Sequence, residues 1–184
     1  MNAYHGMLVH FPMALLLLAS VLILIQIWLK QMNSYLMSVR LLLLLGLLSG
    51  ILSIVIGFMI WPMEAYLHSP NARNHILATA CSMFGYLMLY FIYRANIKPG
   101  DLASKLILSL YVLTVSFLLI LTGTLGGNLA GNPSGLPALL KSLGWDLNYT
   151  MYLSNIGLAL TMLISLIIIA SSFMGSKNKG ARNV

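Results

Sequence analysis

Four histidines, one cysteine and three acidic residues are the whole stock of strong metal ligands and acid–base groups in this 184-residue chain. His5 and His10 sit in the stretch YHGMLVHFPM, residues 4–13, beside Pro12; His68 and His75 follow the second long apolar run. His10 and His75 each fall in the first turn of an apolar segment. Two imidazoles at matched depth on two helices can reach one metal from opposite sides, which suits a b-type haem, whose iron takes two axial nitrogens across a flat ring. His10 and His75 are therefore the expected axial pair, with His5 and His68, in more solvated positions, behind them.

The surroundings of His75 extend this reading. Arg73, two residues earlier, is placed to pair with a haem propionate or to snorkel to lipid phosphate. Gly46, Gly50, Ser53 and Gly57 recur at spacings of 4, 3 and 4, a narrow helical stripe that offers a macrocycle room, with Gly50 and Gly57 as candidate lining. The same small-residue pattern also serves plain helix packing in membranes. Ala78, Thr79 and Ser82 share a face with His75, whereas Cys81 stands about 240° round and points away.

Methionine offers a rival chemistry. Met7, His10 and Met13 are spaced three apart, and Met59 and Met63 close the second apolar run, a thioether and imidazole set of the kind copper(I) accepts. Most of the 12 methionines are nonetheless expected as flexible core filler. The single Cys81 excludes an intrachain disulfide and a covalent haem attachment motif. No Ser-His-Asp set, paired carboxylates, phosphate loop or His-Glu-x-x-His motif is present, so a self-contained hydrolytic enzyme is not expected.

These residues must be held by membrane-spanning helices. The chain is 60% hydrophobic and 7% charged, outside the range of soluble domains. Five apolar runs, about 9–29, 39–62, 75–93, 103–125 and 150–174, approach or exceed the roughly 20 residues that cross a hydrocarbon core. They are continuous in Leu, Ile and Met rather than alternating, which predicts helices, not barrel strands. The expected fold is an all-α integral membrane protein, a single five-transmembrane-helix bundle over 1–184 with an outer loop at 126–149.

The formal charge of +7 is divided among short connections and a tail, a topology signal rather than a nucleic-acid surface. Lys30, Arg40, Arg94, Lys98, Lys105 and the tail Lys177, Lys179 and Arg182 mark the cytoplasmic side; the second and fourth connections carry balanced charge. By the positive-inside rule the N-terminus is outside and the C-terminus cytoplasmic, which puts all four histidines on the outer side. Residues 1–8 lack Lys and Arg, so the first run reads as a helix rather than a cleaved signal. Pro12 is expected to mark its start. TGTLGGNLAGNPSGLP, 122–137, is expected to be non-helical over much of its length, and PALLKSLGWDLNY to lie as a short amphipathic segment on the outer surface, with Trp145 and Tyr149 at the interface.

The segment His5-x4-His10-Phe-Pro, His75 opening a later helix and Gly126-Gly127 closing the next resemble a bacterial membrane family known as domain of unknown function 2231. The resemblance covers about residues 4–130 and is strongest at Leu8-Val9-His10-Phe11-Pro12. Gly6 stands where that family usually has proline, and the fifth run is an addition. The resemblance implies candidate positions rather than a reaction, in a bacterial inner membrane, and a tie to c-type cytochromes. The combined expectation is an electron-transfer subunit binding haem b through His10 and His75, passing electrons between quinol or a larger complex and an external cytochrome. The alternatives are a cofactor-free accessory or assembly subunit and an outer-face copper-handling protein.

Overall fold

The structure, a computed structural model, describes residues 2–29, 35–61, 64, 68–96, 99–132, 134–143, 146 and 149. They form α1 (Asn2–Trp28), α2 (Leu36–Ile60), α3 (Pro70–Arg94), α4 (Leu102–Leu129) and the short α5 (Gly135–Ser142). The first four are long and apolar enough to cross a membrane. The fifth expected span, 150–174, lies outside the described residues.

The boundaries of α3 and α4 have local causes. Ser69 caps α3 by accepting from the Ala72 amide at 3.3 Å, with Pro70 at the first helical position. That places His75 in the second turn rather than at the opening of the helix. Asp101 caps α4 through the Ser104 amide at 3.3 Å. At the far ends, Asn96 (φ 57°) after α3 and Gly131 (φ 79°) after α4 take the left-handed conformation that closes a helix.

Two expectations about boundaries are corrected. Pro12 does not start α1; the helix begins seven residues before the expected position 9 and runs straight through the proline. A proline inside a helix has no N–H for the carbonyl four residues back. Here that carbonyl is Leu8, and the Ser53 hydroxyl of α2, bonded to Ser49 O at 2.9 Å, also reaches it at 3.5 Å. The segment 122–137 is mostly helical: α4 continues through Gly126 and Gly127 to Leu129, and α5 resumes at Gly135. Packing against α3 offsets the glycines' poor helix propensity. The amphipathic segment is present as α5, with Leu140 buried, Leu139 and Leu143 exposed, and Lys141 paired to Asp146 at 3.3 Å.

In the bundle, α1 packs on α2 and α4, and α3 packs on α4 and α2. The glycines show how closely. A Cβ at Gly46 would stand 2.5 Å from Leu16 Cδ2, at Gly50 2.7 Å from Met83 Cε, at Gly85 2.6 Å from Val115 Cγ2 and at Gly123 2.5 Å from Met13 Cε. Gly46, Gly50 and Gly57 meet Leu16, Pro12 and His5 in turn, so α1 and α2 are antiparallel. Gly50 meets Met83 and Arg40 meets Tyr93, so α2 and α3 are antiparallel as well. Hence α1 and α3 run parallel across the bundle diagonal.

Leu16, Ile23, Ile27, Val39, Leu43, Tyr86, Leu89 and Val112 fill the interior. Outside, Leu41, Leu48, Ile51, Leu52 and Val55 of α2 are exposed. An apolar exterior of this extent on spanning helices is the surface that lipid covers.

Candidate functional site

Polar side chains on spanning helices cost free energy unless they are paired, so their positions inside the bundle are informative. At the end that holds the start of α1, His75 projects from α3 onto α4. Its ring lies over Gly126, where a Cβ would come within 3.0 Å of Cε1. Its Nδ1 is 3.0 Å from the Thr122 carbonyl. A carbonyl only accepts, so Nδ1 carries the proton, and in the neutral ring Nε2 keeps a free lone pair. Anchoring one imidazole nitrogen on a backbone carbonyl is how metal-binding histidines are commonly oriented.

Across the diagonal, the half-buried His5 lies on α2 over Gly57, whose Cβ would stand 3.1 Å from the His5 Cε1. Its Nδ1 is buried without a hydrogen-bond partner. His5 is therefore the second imidazole that lies inside the bundle at the His75 end.

His10, expected in that position, is turned outward. It is exposed, and its Nδ1 donates back to the Gly6 carbonyl one turn earlier. The physical reason is the early start of α1: five residues further along a helix, about 500°, His10 is rotated about 140° from His5 and cannot share its face. His68 and Glu64 are exposed, as is Arg73. Cys81 is exposed, on the side expected of it.

The glycine stripe of α2 also reads differently in three dimensions. Gly50 is occupied by Met83 and Pro12, and Gly57 by the His5 ring, so the stripe seats neighbouring helices closely rather than opening a slot beside His75. Met13 packs into Gly123 of α4, whereas Met7 and Met59 are exposed; Met63 is outside the described residues. The thioethers therefore do not converge with His10. Among the described residues no three His, Cys, Asp or Glu side chains come together.

Several polar features had no prior expectation. Asn71, one turn before His75, and Asn128, just after Gly126, each bury a side-chain oxygen without a partner at the same end. At mid-depth the Tyr86 hydroxyl of α3 meets Ser20 Oγ of α1 at 2.9 Å and Ser116 Oγ of α4 at 3.3 Å. The signal for that node was present in the sequence: His75, Thr79, Ser82, Tyr86 and Tyr93 follow one another at helical spacing and form one inward stripe of α3. An open apolar groove of about 580 Å³, bordered by Leu24, Trp28, Leu106 and Leu113, lies towards the opposite end and has no part in the histidine arrangement.

The fold and site together define a multi-pass α-helical membrane protein with a histidine pair inside one end of its bundle. A family model described as a predicted membrane protein, DUF2231, matches residues 2–133. The chain belongs to that family. Neither a curated protein nor a solved structure matches it.

Proposed function

We propose that this protein is a membrane electron-transfer subunit in which His75 and His5 would hold a b-type haem at one membrane face. The observation that carries the reading is the placement of both imidazoles inside one end of the bundle, His5 over Gly57 and His75 over Gly126, with His75 Nδ1 fixed on the Thr122 carbonyl and Nε2 left to bind. A b-type haem held by these residues would supply reversible one-electron transfer. The residues of this chain orient the rings, exclude bulk water and, through the basic inner connections, set the histidine end outward in a bacterial inner membrane. Quinol or a larger complex is the donor in this scheme, and an external cytochrome the acceptor.

A second reading has its own support. Leu16, Met83 and Met13 fill the spaces over Gly46, Gly50 and Gly123, as in a bundle built for tight packing alone, which favours a cofactor-free accessory subunit of a respiratory complex. Spectra of the purified protein, oxidised and dithionite-reduced, separate the two. The haem reading expects a Soret band and a sharp reduced α-band that are lost in His75→Ala and His5→Ala and kept in His10→Ala. A colourless protein made with ample haem supply overturns it and leaves the accessory role; bound copper by elemental analysis without a haem spectrum points instead to metal handling.

A further inference from the structure

At the end of the bundle opposite the histidines, α1 and α4 leave an open groove of about 580 Å³ between them, lined by Leu24, Trp28, Leu106, Ser109, Leu110 and Leu113. Its floor is set by one residue pair. Ser109 is short and buried, and its hydroxyl accepts from the Trp28 indole N–H at 3.1 Å, which ties the two helices together while the exposed Leu106, Leu110 and Leu113 stand along the rim. The polar groups of the floor are paired with each other, so a guest meets a wall of leucine and indole carbon. The groove is also short. Leu106 to Leu113 covers about 10.5 Å along α4, within the roughly 15 Å of one leaflet of a hydrocarbon core about 30 Å thick. A helix of another chain packs along a seam that follows the span; a slot confined to one leaflet suits a single extended chain.

Charge at the mouth narrows the guest further. Lys105 lies one turn before Ser109 and about 40° from it around α4. It is partly exposed, and among the described residues its ammonium has no ion pair or hydrogen bond. Asp101, one turn earlier still, does not serve it, because that carboxylate accepts from the Ser104 amide and hydroxyl at the α4 cap. Arg40 is engaged on the other side of the bundle, where Nε and Nη2 donate to the carbonyls of Tyr93 and Arg94 at 2.8 Å and 3.4 Å. Lys105 therefore stands beside the groove with its charge unmatched, and a lysine at a membrane surface draws anionic lipid.

We propose that the groove and Lys105 form a binding site for an anionic phospholipid, with one acyl chain lying between α1 and α4 and the phosphate on the Lys105 ammonium. The apolar wall holds the chain, and the lysine selects the headgroup. The site is independent of any cofactor at the histidines, which lie at the other end of the bundle.

The test is quenching of Trp28 fluorescence by lipids brominated on the acyl chain, with the full chain in bilayer vesicles. The chain has three tryptophans, and Trp61→Phe with Trp145→Phe leaves Trp28 as the reporter. Brominated phosphatidylglycerol, diluted in unlabelled phosphatidylcholine, is expected to reach Trp28 with about fivefold higher relative affinity than brominated phosphatidylcholine, the weight of one lysine near an anionic headgroup. Lys105→Gln should abolish that preference. Arg94→Gln, which removes a cation of α3 at the same end, should keep it. Equal quenching by the two lipids with Lys105 in place overturns the proposal, as does a preference that survives Lys105→Gln or is lost equally in Arg94→Gln. Quenching of Trp28 by neither lipid also overturns it and points to protein in the groove.

Discussion

Gly126→Ala tests the seat of His75 directly. The added Cβ would stand 3.0 Å from His75 Cε1 and 3.5 Å from Nδ1, whereas unstrained carbon contacts fall at about 3.5–4.0 Å. The ring must therefore retreat by about 0.5–1 Å. The bond from Nδ1 to the Thr122 carbonyl starts at 3.0 Å, and a retreat of that size stretches it beyond the useful range of about 3.2 Å. Overpacking costs about 1–3 kcal/mol and the loss of one net hydrogen bond about 0.5–1.5 kcal/mol. The better helix propensity of alanine returns about 0.5–1 kcal/mol, leaving a net loss of about 0.5–4 kcal/mol.

Two measurements read this out. Denaturant titration in detergent micelles should show a lower midpoint for Gly126→Ala, while Gly135→Ala, where a Cβ meets nothing within 4 Å, should show none. Nitrogen-15 spectra of the imidazoles should show His75 lose its fixed Nδ1–H tautomer. An unchanged midpoint together with an unchanged tautomer would refute the claim that Gly126 makes room for the ring.

Three further outcomes are expected. Gly6→Ala, which also adds a Cβ into open space inside a helix, should raise stability by about 0.5–1 kcal/mol in the same titration; a loss would mean the α1 terminus is not helical there. Ser53→Ala should cost more beside Pro12 than in a Pro12→Ala background, with a coupling of about 0.5 kcal/mol in a double-mutant cycle, because only the proline leaves the Leu8 carbonyl without its own amide. Hydrogen bonds from Ser104 hold the Asp101 carboxyl below its ordinary value. A depressed value means the cap is intact above the usual carboxylate range and is lost as pH falls through the folded value. Thermal melts should therefore be insensitive to this group down to about pH 5 and decline below about pH 4, a decline reduced in Asp101→Asn; parallel curves for the two proteins would contradict it.

Four spans, their helical nature and their membrane setting were legible in the sequence, because a hydrocarbon core demands long apolar runs and lets no backbone group go unpaired. The short α5 was legible for a similar reason, its apolar residues recurring at helical spacing between turn signals. The candidate residues were legible as well, since four histidines in so apolar a chain are conspicuous. Which two of them lie inside the bundle was not. Pro12 lies inside α1, with Ser53 of another helix reaching the carbonyl that the proline leaves open, and no local signal carries that information. Once α1 begins at the terminus, helix geometry turns His5 inward and His10 outward. Likewise Gly126 looked like a helix end and is the seat of a ring, because the His75 side chain that fills it comes from α3. Sequence determined which residues face a choice between lipid and interior; the packing of helices far apart in the chain decided which of them face one another.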